Sequence, residues 1–185
     1  MYLEKSVLKN EIKENFKKEF KYALFNLKRQ RKFNKITFLC VGTDRIIGDS
    51  LGPFVGSKLE ILFAENNYYN INVFGTLQKN MTYQNILPVI NNLDFTTGIV
   101  VVDAALSKKE EIGNIYVSNN KTTLGKGLSK NNIKIGDISI KTAVAKNFKI
   151  PYRNFKSLQK TSLNKIIELS DIVSDGIFEV IKKYY

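Results

Sequence analysis

The sequence predicts an α/β protein with a mainly parallel sheet of five or more strands and helices on both faces. Three observations carry that prediction. Two short runs, Ile36–Val41 (ITFLCV) and Gly98–Val102 (GIVVV), are apolar at consecutive positions and rich in β-branched residues. That is the pattern of central strands covered on both faces. Segments with apolar residues three and four apart lie between and around these runs, as amphipathic helices require. Strands alternating with helices form βαβ units, whose crossovers make neighbouring strands parallel.

The elements follow in order. Leu8, Ile12, Phe16, Phe20, Leu24 and Leu27 mark an amphipathic, basic helix within residues 1–32, ahead of the basic stretch Lys28–Lys35. Ile36–Val41 is the first strand, and Gly42 ends it. Pro53 suits the first turn of a helix, which continues through Phe54, Val55, Leu59, Leu62 and Phe63. Ile71–Phe74 is a strand closed by Gly75. Residues 82–92 read as a helix through Ile86, Leu87 and Ile90, made irregular by Pro88. Gly98–Val102 is the strongest strand and ends at Asp103. Asn114–Ser118 is a fourth strand, Asn119–Lys134 a polar loop with Gly125 and Gly127, and Asp137–Lys141 an alternating fifth strand. Ser162–Tyr184 closes the chain as a helix through Leu163, Ile166, Ile167, Ile172, Val173, Ile177 and Ile181.

At 185 residues and 43% hydrophobic content, the chain suits one domain, 1–185, with its α/β core in 36–185. No apolar run is long enough to span a bilayer, and the charged N-terminus lacks the apolar stretch of a signal peptide. Cys40 is the only cysteine, so no intramolecular disulfide forms, and a reducing cytoplasm is expected. In mid-strand it reads as a small buried hydrophobe. Histidine is absent. Its absence excludes Ser-His-Asp triads and Cys-His dyads and removes the usual nitrogen ligand for zinc or nickel. No cofactor and no metal are therefore expected.

The net charge is +12. Residues 1–35 hold eleven Lys and Arg against four Glu, a net +7, so more than half of the excess lies in one element. Interleaved signs read as the solvated face of a helix rather than a nucleic-acid site. Lys126 and Lys130 likewise read as a solvated loop.

In open α/β sheets, ligands and catalytic groups gather beyond the carboxyl ends of the strands. Asp44, Asp49 and Asp103 all fall at that edge. Gly48 and Gly52 bracket Asp49 in GTDRIIGDSLGP and permit a sharp turn and close backbone approach to a ligand. The loop is neither a G-x-x-x-x-G-K-[ST] nor a G-x-G-x-x-G phosphate motif. Taken singly, Asp49 or Ser50 reads equally well as a helix cap, and Asp103 as a strand-end residue. Taken together, two neighbouring carboxylates push their pKa values apart, leaving one as an acid and one as a base on water. Arg45 is placed to hold a substrate carboxylate or to pair with Asp44, the ion pair being the preferred reading.

The ordered segments GTDRIIGDSLGPFVGSKL, FGTLQKNM and VVVDAAL, followed by the strand start at Gly136–Asp137, resemble the YyaC-type sporulation proteins of spore-forming Firmicutes. The resemblance runs over roughly residues 36–180. That family looks like a relative of germination protease and, more distantly, of hydrogenase maturation proteases. It implies a three-layer α/β/α, phosphorylase/hydrolase-like fold. In the germination protease, two aspartates in a D-x-L-G-P and a V-D-A-L segment are held to be catalytic. Asp49 and Asp103 match them. Asp44, Arg45, Gly48, Gly52, Gly75 and Thr76, from the same motifs, are expected to bind substrate. The hydrogenase branch binds nickel of its substrate through acidic residues and a His, which this sequence lacks.

The resemblance thus implies a sporulation-associated peptidase acting on protein or peptide substrates, spore proteins among them. Its location would be the forespore or mother cell. Ile46 and Ile47 replace two hydroxyl residues of the family loop, which removes hydrogen bonds to Asp49. That departure, with the basic helix, keeps open a non-catalytic binding or regulatory protein of sporulation that retains the fold. The helix in 1–32, outside the motif match, is read as a partner-binding or self-association element, which would make the protein a homo-oligomer.

Overall fold

The computed structural model describes residues 2–124 and 133–185. In chain order the elements are α1 (Tyr2–Gln30), β1 (Lys35–Cys40), α2 (Leu51–Glu65), β2 (Ile71–Phe74), α3 (Ile86–Asn91), β3 (Thr97–Ser107), β4 (Ile115–Ser118), β5 (Thr122–Leu124), β6 (Ile133–Ile135), β7 (Ile138–Lys146), α4 (Pro151–Gln159) and α5 (Leu163–Tyr184). Two 3₁₀ turns lie at Ile47–Asp49 and Lys109–Glu111. The main sheet has five strands in the order β2-β1-β3-β7-β4. Its first four strands pair in parallel, and β4 closes the edge antiparallel to β7. β5 and β6 form a separate antiparallel ribbon.

The continuous apolar runs sort by alternation onto two faces. Phe38, Cys40, Val100, Val102, Ile138 and Ile140 face a core shared with α1, α2 and α5. Leu39, Val41 and Val101 face a smaller core with Met81, Ile86 and Ile135. One face thus carries three long helices. The other is covered by α3, barely two turns long, and the residues around the ribbon.

The helix expected near the N-terminus is part of the main core. Phe16, Phe20, Ala23, Leu24 and Leu27 of α1 are buried there; the side chain of Leu8 lies outside the described residues. Its lysines are not all solvated. Lys13 and Lys17 reach Glu179 on α5 at 2.6 and 2.7 Å. Arg31, just beyond α1, donates to the carbonyls of Phe95 and Thr97, each at 2.8 Å, and pairs with Asp137. Asp137 also accepts the Ile99 N–H at 2.8 Å. One guanidinium therefore ties the end of α1 to the starts of β3 and β7.

Three expectations are corrected. β3 does not end at Asp103 but continues to Ser107, because β7 goes on pairing with it after β1 has turned away at Gly42. The helix expected over 82–92 is only Ile86–Asn91. The Asn85 side chain takes the Thr82 N–H at 2.7 Å and so holds a turn in place of the first helical turn. Pro88 then falls in the first turn of α3, where no intrahelical bond is lost. Within Asn119–Lys134 the chain forms β5 and most of β6, and Thr122 is buried with its hydroxyl 2.7 Å from that of Ser139. Three-residue strands are too short for periodicity to show. Gly125, Lys126, Gly127 and Lys130 lie outside the described residues. α4 lies in a segment to which the sequence pattern assigned no element. None of its residues is fully buried, and its core contact is the partly buried Leu158; in nine residues, its apolar spacing of Tyr152, Phe155 and Leu158 is too brief to stand out.

The joint between β1 and α2 is backbone on backbone. A Cβ on Gly52 would stand 2.1 Å from the Val41 carbonyl oxygen, a distance no relaxed structure tolerates. Gly52→Ala is expected to cost about 3 kcal/mol in urea denaturation, the upper range for overpacking. Ile61→Ala on the exposed side of α2 is expected to stay within about 0.5 kcal/mol. Arg31→Lys is expected to lose about 1–2 kcal/mol, because an ammonium lacks the fork that serves three acceptors at once.

Candidate active site at the carboxyl edge of the sheet

The step in the sheet edge makes the site. β1 stops opposite Val102 of β3, while β3 goes on beside β7 with Asp103 opposite Lys141. Asp103 is therefore paired on one side and open on the other. The loop after β1 fills the opening. The Gly42 N–H donates to the Met81 carbonyl at 2.8 Å, turning the chain away from β3. Then the 3₁₀ turn ends on Asp49, directly before α2.

Asp49 is half-buried. The Thr43 N–H donates both to its carbonyl, at 3.2 Å, and to its carboxylate, at 3.1 Å. Burial pushes its pKa up to about 6, against the lowering effect of that N–H. The cap reading for this loop fails: neither Ser50 nor Asp49 caps α2 through its side chain, and the Ser50 hydroxyl turns back to the Ile47 carbonyl at 2.6 Å. Asp103 is pushed up to about 7, first by burial and next by the charge of Asp49. Lys141 and the Ala104 N–H act in the opposite sense. Two carboxyls 54 residues apart in the chain thus share one electrostatic neighbourhood. Perturbed carboxyls of this kind concentrate at functional sites.

The other expected residues fall around this pair. Gly48 packs against Leu158 of α4, Gly52 against Val41 and Gly75 against Cys40. Gly75 also needs its φ of 91°. Thr76 is buried, and its hydroxyl accepts the Lys79 N–H at 3.2 Å in the turn after β2. Asp44 and Arg45 are exposed, and the expected ion pair between them does not form. Instead Asp44 accepts from the Asn80 amide at 2.5 Å. Cys40 is fully buried and burial raises its thiol pKa far above the ordinary value, as expected of a small core residue.

Asn80 was missed by sequence reasoning. Its amide also reaches the Thr43 hydroxyl at 3.5 Å, and its backbone carbonyl accepts from Asn85 at 2.9 Å. It stitches the Asp49 loop to the loop after β2. The only signal was its place in FGTLQKNM. Ile47, one of the two departures from the family loop, packs against the main core, so it contributes no polar group to Asp49. Among the described residues, no group of three or more Asp, Glu and Cys side chains could hold a metal ion. Two carboxylates without an imidazole also do not make a nickel donor set. No helix among the described residues is long and apolar enough to cross a membrane.

The chain is 28% identical over 163 residues to YyaC of Bacillus subtilis strain 168, described as uncharacterized, covering 86% of this chain and 76% of that protein. Its fold resembles the crystal structure of the NiFe hydrogenase maturation protease HycI from Thermococcus kodakarensis KOD1, with a TM-score of 0.54 and 18% identity. That alignment covers 80% of this chain and 93% of the other. At that identity the likeness shows the fold: a mainly parallel sheet with flanking helices. Residues 5–176 match a family described as proteins of unknown function, DUF1256. Most of α1 lies within that match, so the N-terminal helix is a family feature rather than an appendage. The protein belongs to the DUF1256 family, as a YyaC-type member with a hydrogenase maturation protease-like fold.

Proposed function

We propose that the protein is a peptidase of the germination-protease type, with Asp49 and Asp103 hydrolysing an amide bond through an activated water. The observation that carries this reading is the mutual placement of the two carboxyls, close enough for the charge on Asp49 to raise the pKa of Asp103. Between about pH 6 and 7 the pair holds about one proton. Asp49, the lower of the two, takes a proton from water as the oxygen attacks the carbonyl carbon. Asp103, the higher, gives its proton to the departing amide nitrogen as the C–N bond breaks. Solvent then restores both protonation states. Burial supplies the pKa shifts, and Thr43 steadies the ionised form of Asp49. Asp44 and Arg45, exposed on the Asp49 loop, would face the substrate, while Gly48, Gly52, Gly75 and Thr76 are buried and shape the backbone around the pair, with Asn80 holding the two loops together. The family resemblance supplies the finer setting, a role in sporulation with spore proteins as substrates.

One observation favours a second reading, a non-catalytic binding or regulatory protein. Ile47 faces the core where the family loop carries a hydroxyl, leaving Asp49 with a single N–H donor to its carboxylate, from Thr43, among the described residues. That reading expects Asp49→Asn to leave partner binding and sporulation intact.

Incubation with small acid-soluble spore proteins and other forespore proteins distinguishes the two. The wild type is expected to cleave, and Asp49→Asn and Asp103→Asn to be slower by about 10²–10⁴-fold. Cleavage by none of the three would remove the peptidase reading for those substrates. The rate should be bell-shaped in pH, rising as Asp49 ionises near about 6 and falling as Asp103 ionises near about 7. A flat profile from pH 5 to 9 would count against the pair as acid and base.

Stability should follow the same groups. Both folded-state pKa values lie above the ordinary 3.8, so the native state holds more protons between pH 4 and 7. Their contribution is full below about pH 4 and is lost as pH rises through about 6 and 7. Asp103→Asn is therefore expected to be more stable than wild type at pH 8, by on the order of 2 kcal/mol, and no more stable at pH 4. Thermal melts at the two pH values check this.

A further inference from the structure

We propose that the cleft between α4, the end of β7 and the start of α5 binds an acidic peptide segment of the substrate. The proposal rests on the peptidase reading and adds the substrate class. The cleft has a volume of about 560 Å³, within the range of small-ligand and short-peptide sites. Lys109, Lys146, Arg153, Lys156, Lys160 and Lys165 line it, and no acidic residue does among the described residues. None of the six forms an ion pair among the described residues. Like charges gathered round one concavity repel each other and focus a positive potential into it. The attraction of an acidic ligand offsets that cost.

Three further features fit a peptide. Ile112, Val144 and Phe148 give the cleft apolar lining, which suits an apolar side chain flanked by carboxylates. Ser157, Thr161 and Ser162 add hydroxyls, and Ser162 is the residue before α5, whose first N–H groups no side chain caps. α4 presents Tyr152 and Phe155 to solvent beside Arg153 and Lys156, and its packing on the core is through the partly buried Leu158. A helix that contributes so little to the core and so much to the surface is suited to docking a partner.

The position matters as much as the charge. α4 rests on the Asp49 turn through Leu158 and Gly48. Val144 is three residues beyond Lys141, the strand neighbour of Asp103, about 10 Å along β7. A substrate held by the cleft therefore reaches the carboxyl pair within a few residues. Aromatic residues among cations also suit single-stranded nucleic acid, but a carboxyl pair beside the cleft offers nothing to a phosphate backbone.

The test is fluorescence anisotropy with the full-length Asp103→Asn protein, which reads binding whether or not the wild type cleaves. The probes are a short glutamate-rich peptide with a central leucine, its glutamine counterpart, and an oligothymidylate of matched charge. The glutamate peptide is expected to bind about tenfold more tightly than the glutamine peptide. Arg153→Glu/Lys156→Glu is expected to remove that advantage, while Lys18→Glu on α1 leaves it. Circular dichroism verifies the fold, and Arg153→Gln/Lys156→Gln repeats the reading with a milder change. Equal affinity for the two peptides overturns the proposal, as does equal loss in the Lys18→Glu protein. Tighter oligothymidylate binding that the α4 variant abolishes would assign the cleft to nucleic acid instead. Peptide binding without any cleavage by the wild type would keep this proposal and sink the peptidase reading.

Discussion

Everything at the candidate site depends on how closely the start of α2 approaches the end of β1. The contact leaves no room for side chains. Gly52 meets the Val41 carbonyl, Gly56 meets the Gly75 carbonyl at a virtual Cβ distance of 2.1 Å, and Gly75 in turn lies on Cys40. With the helix held that near, the loop between must fold tightly, and the 3₁₀ turn sets Asp49 over the open flank of β3. Larger residues at these points would push α2 outward and carry Asp49 away from Asp103. The glycines of the first motif are therefore the scaffold of the carboxyl pair, whatever else they contact.

The second constraint is electrostatic. A carboxyl loses favourable hydration when buried, and here neither carboxyl recovers it through a cation in direct contact. Lys141 tempers Asp103 only partly. A fold selected for stability alone would place an amide or an apolar residue at such a point. Retaining two strained carboxyls at the carboxyl edge fits a chemical use, since functional sites carry destabilising groups that the rest of the fold supports.

The charge of the molecule resolves into different uses. Lys13, Lys17 and Arg31 are structural, holding α1 against α5 and against the starts of β3 and β7. The cations of the α4 cleft form no ion pair among the described residues; Lys146 and Lys156 lie over the rings of Phe148 and Tyr152. Net charge cannot separate these uses, because pairing is a property of position. The membership of α1 in the main core likewise explains why the family match begins near the start of the helix.

The sequence by itself determined the α/β class, the core strands β1 and β3, the long helices α1, α2 and α5, and the candidacy of Asp49 and Asp103. These are legible because burial on both faces and helical periodicity leave strong local patterns. Two readings needed the tertiary structure. Where β3 ends is decided by which neighbour goes on pairing, so Asp103 lies inside a strand, beside a gap left by β1. Whether Asp49 caps a helix or meets Asp103 is decided by the packing of α2 on β1, across 54 residues of chain. α4 and its cleft were hard to read because the helix has only nine residues, so its apolar spacing of Tyr152, Phe155 and Leu158 is brief, and the cleft is made by elements that meet only in the fold. The pair with which the sequence made its strongest case became one site only through that glycine-lined joint, where backbone comes close to backbone across the fold.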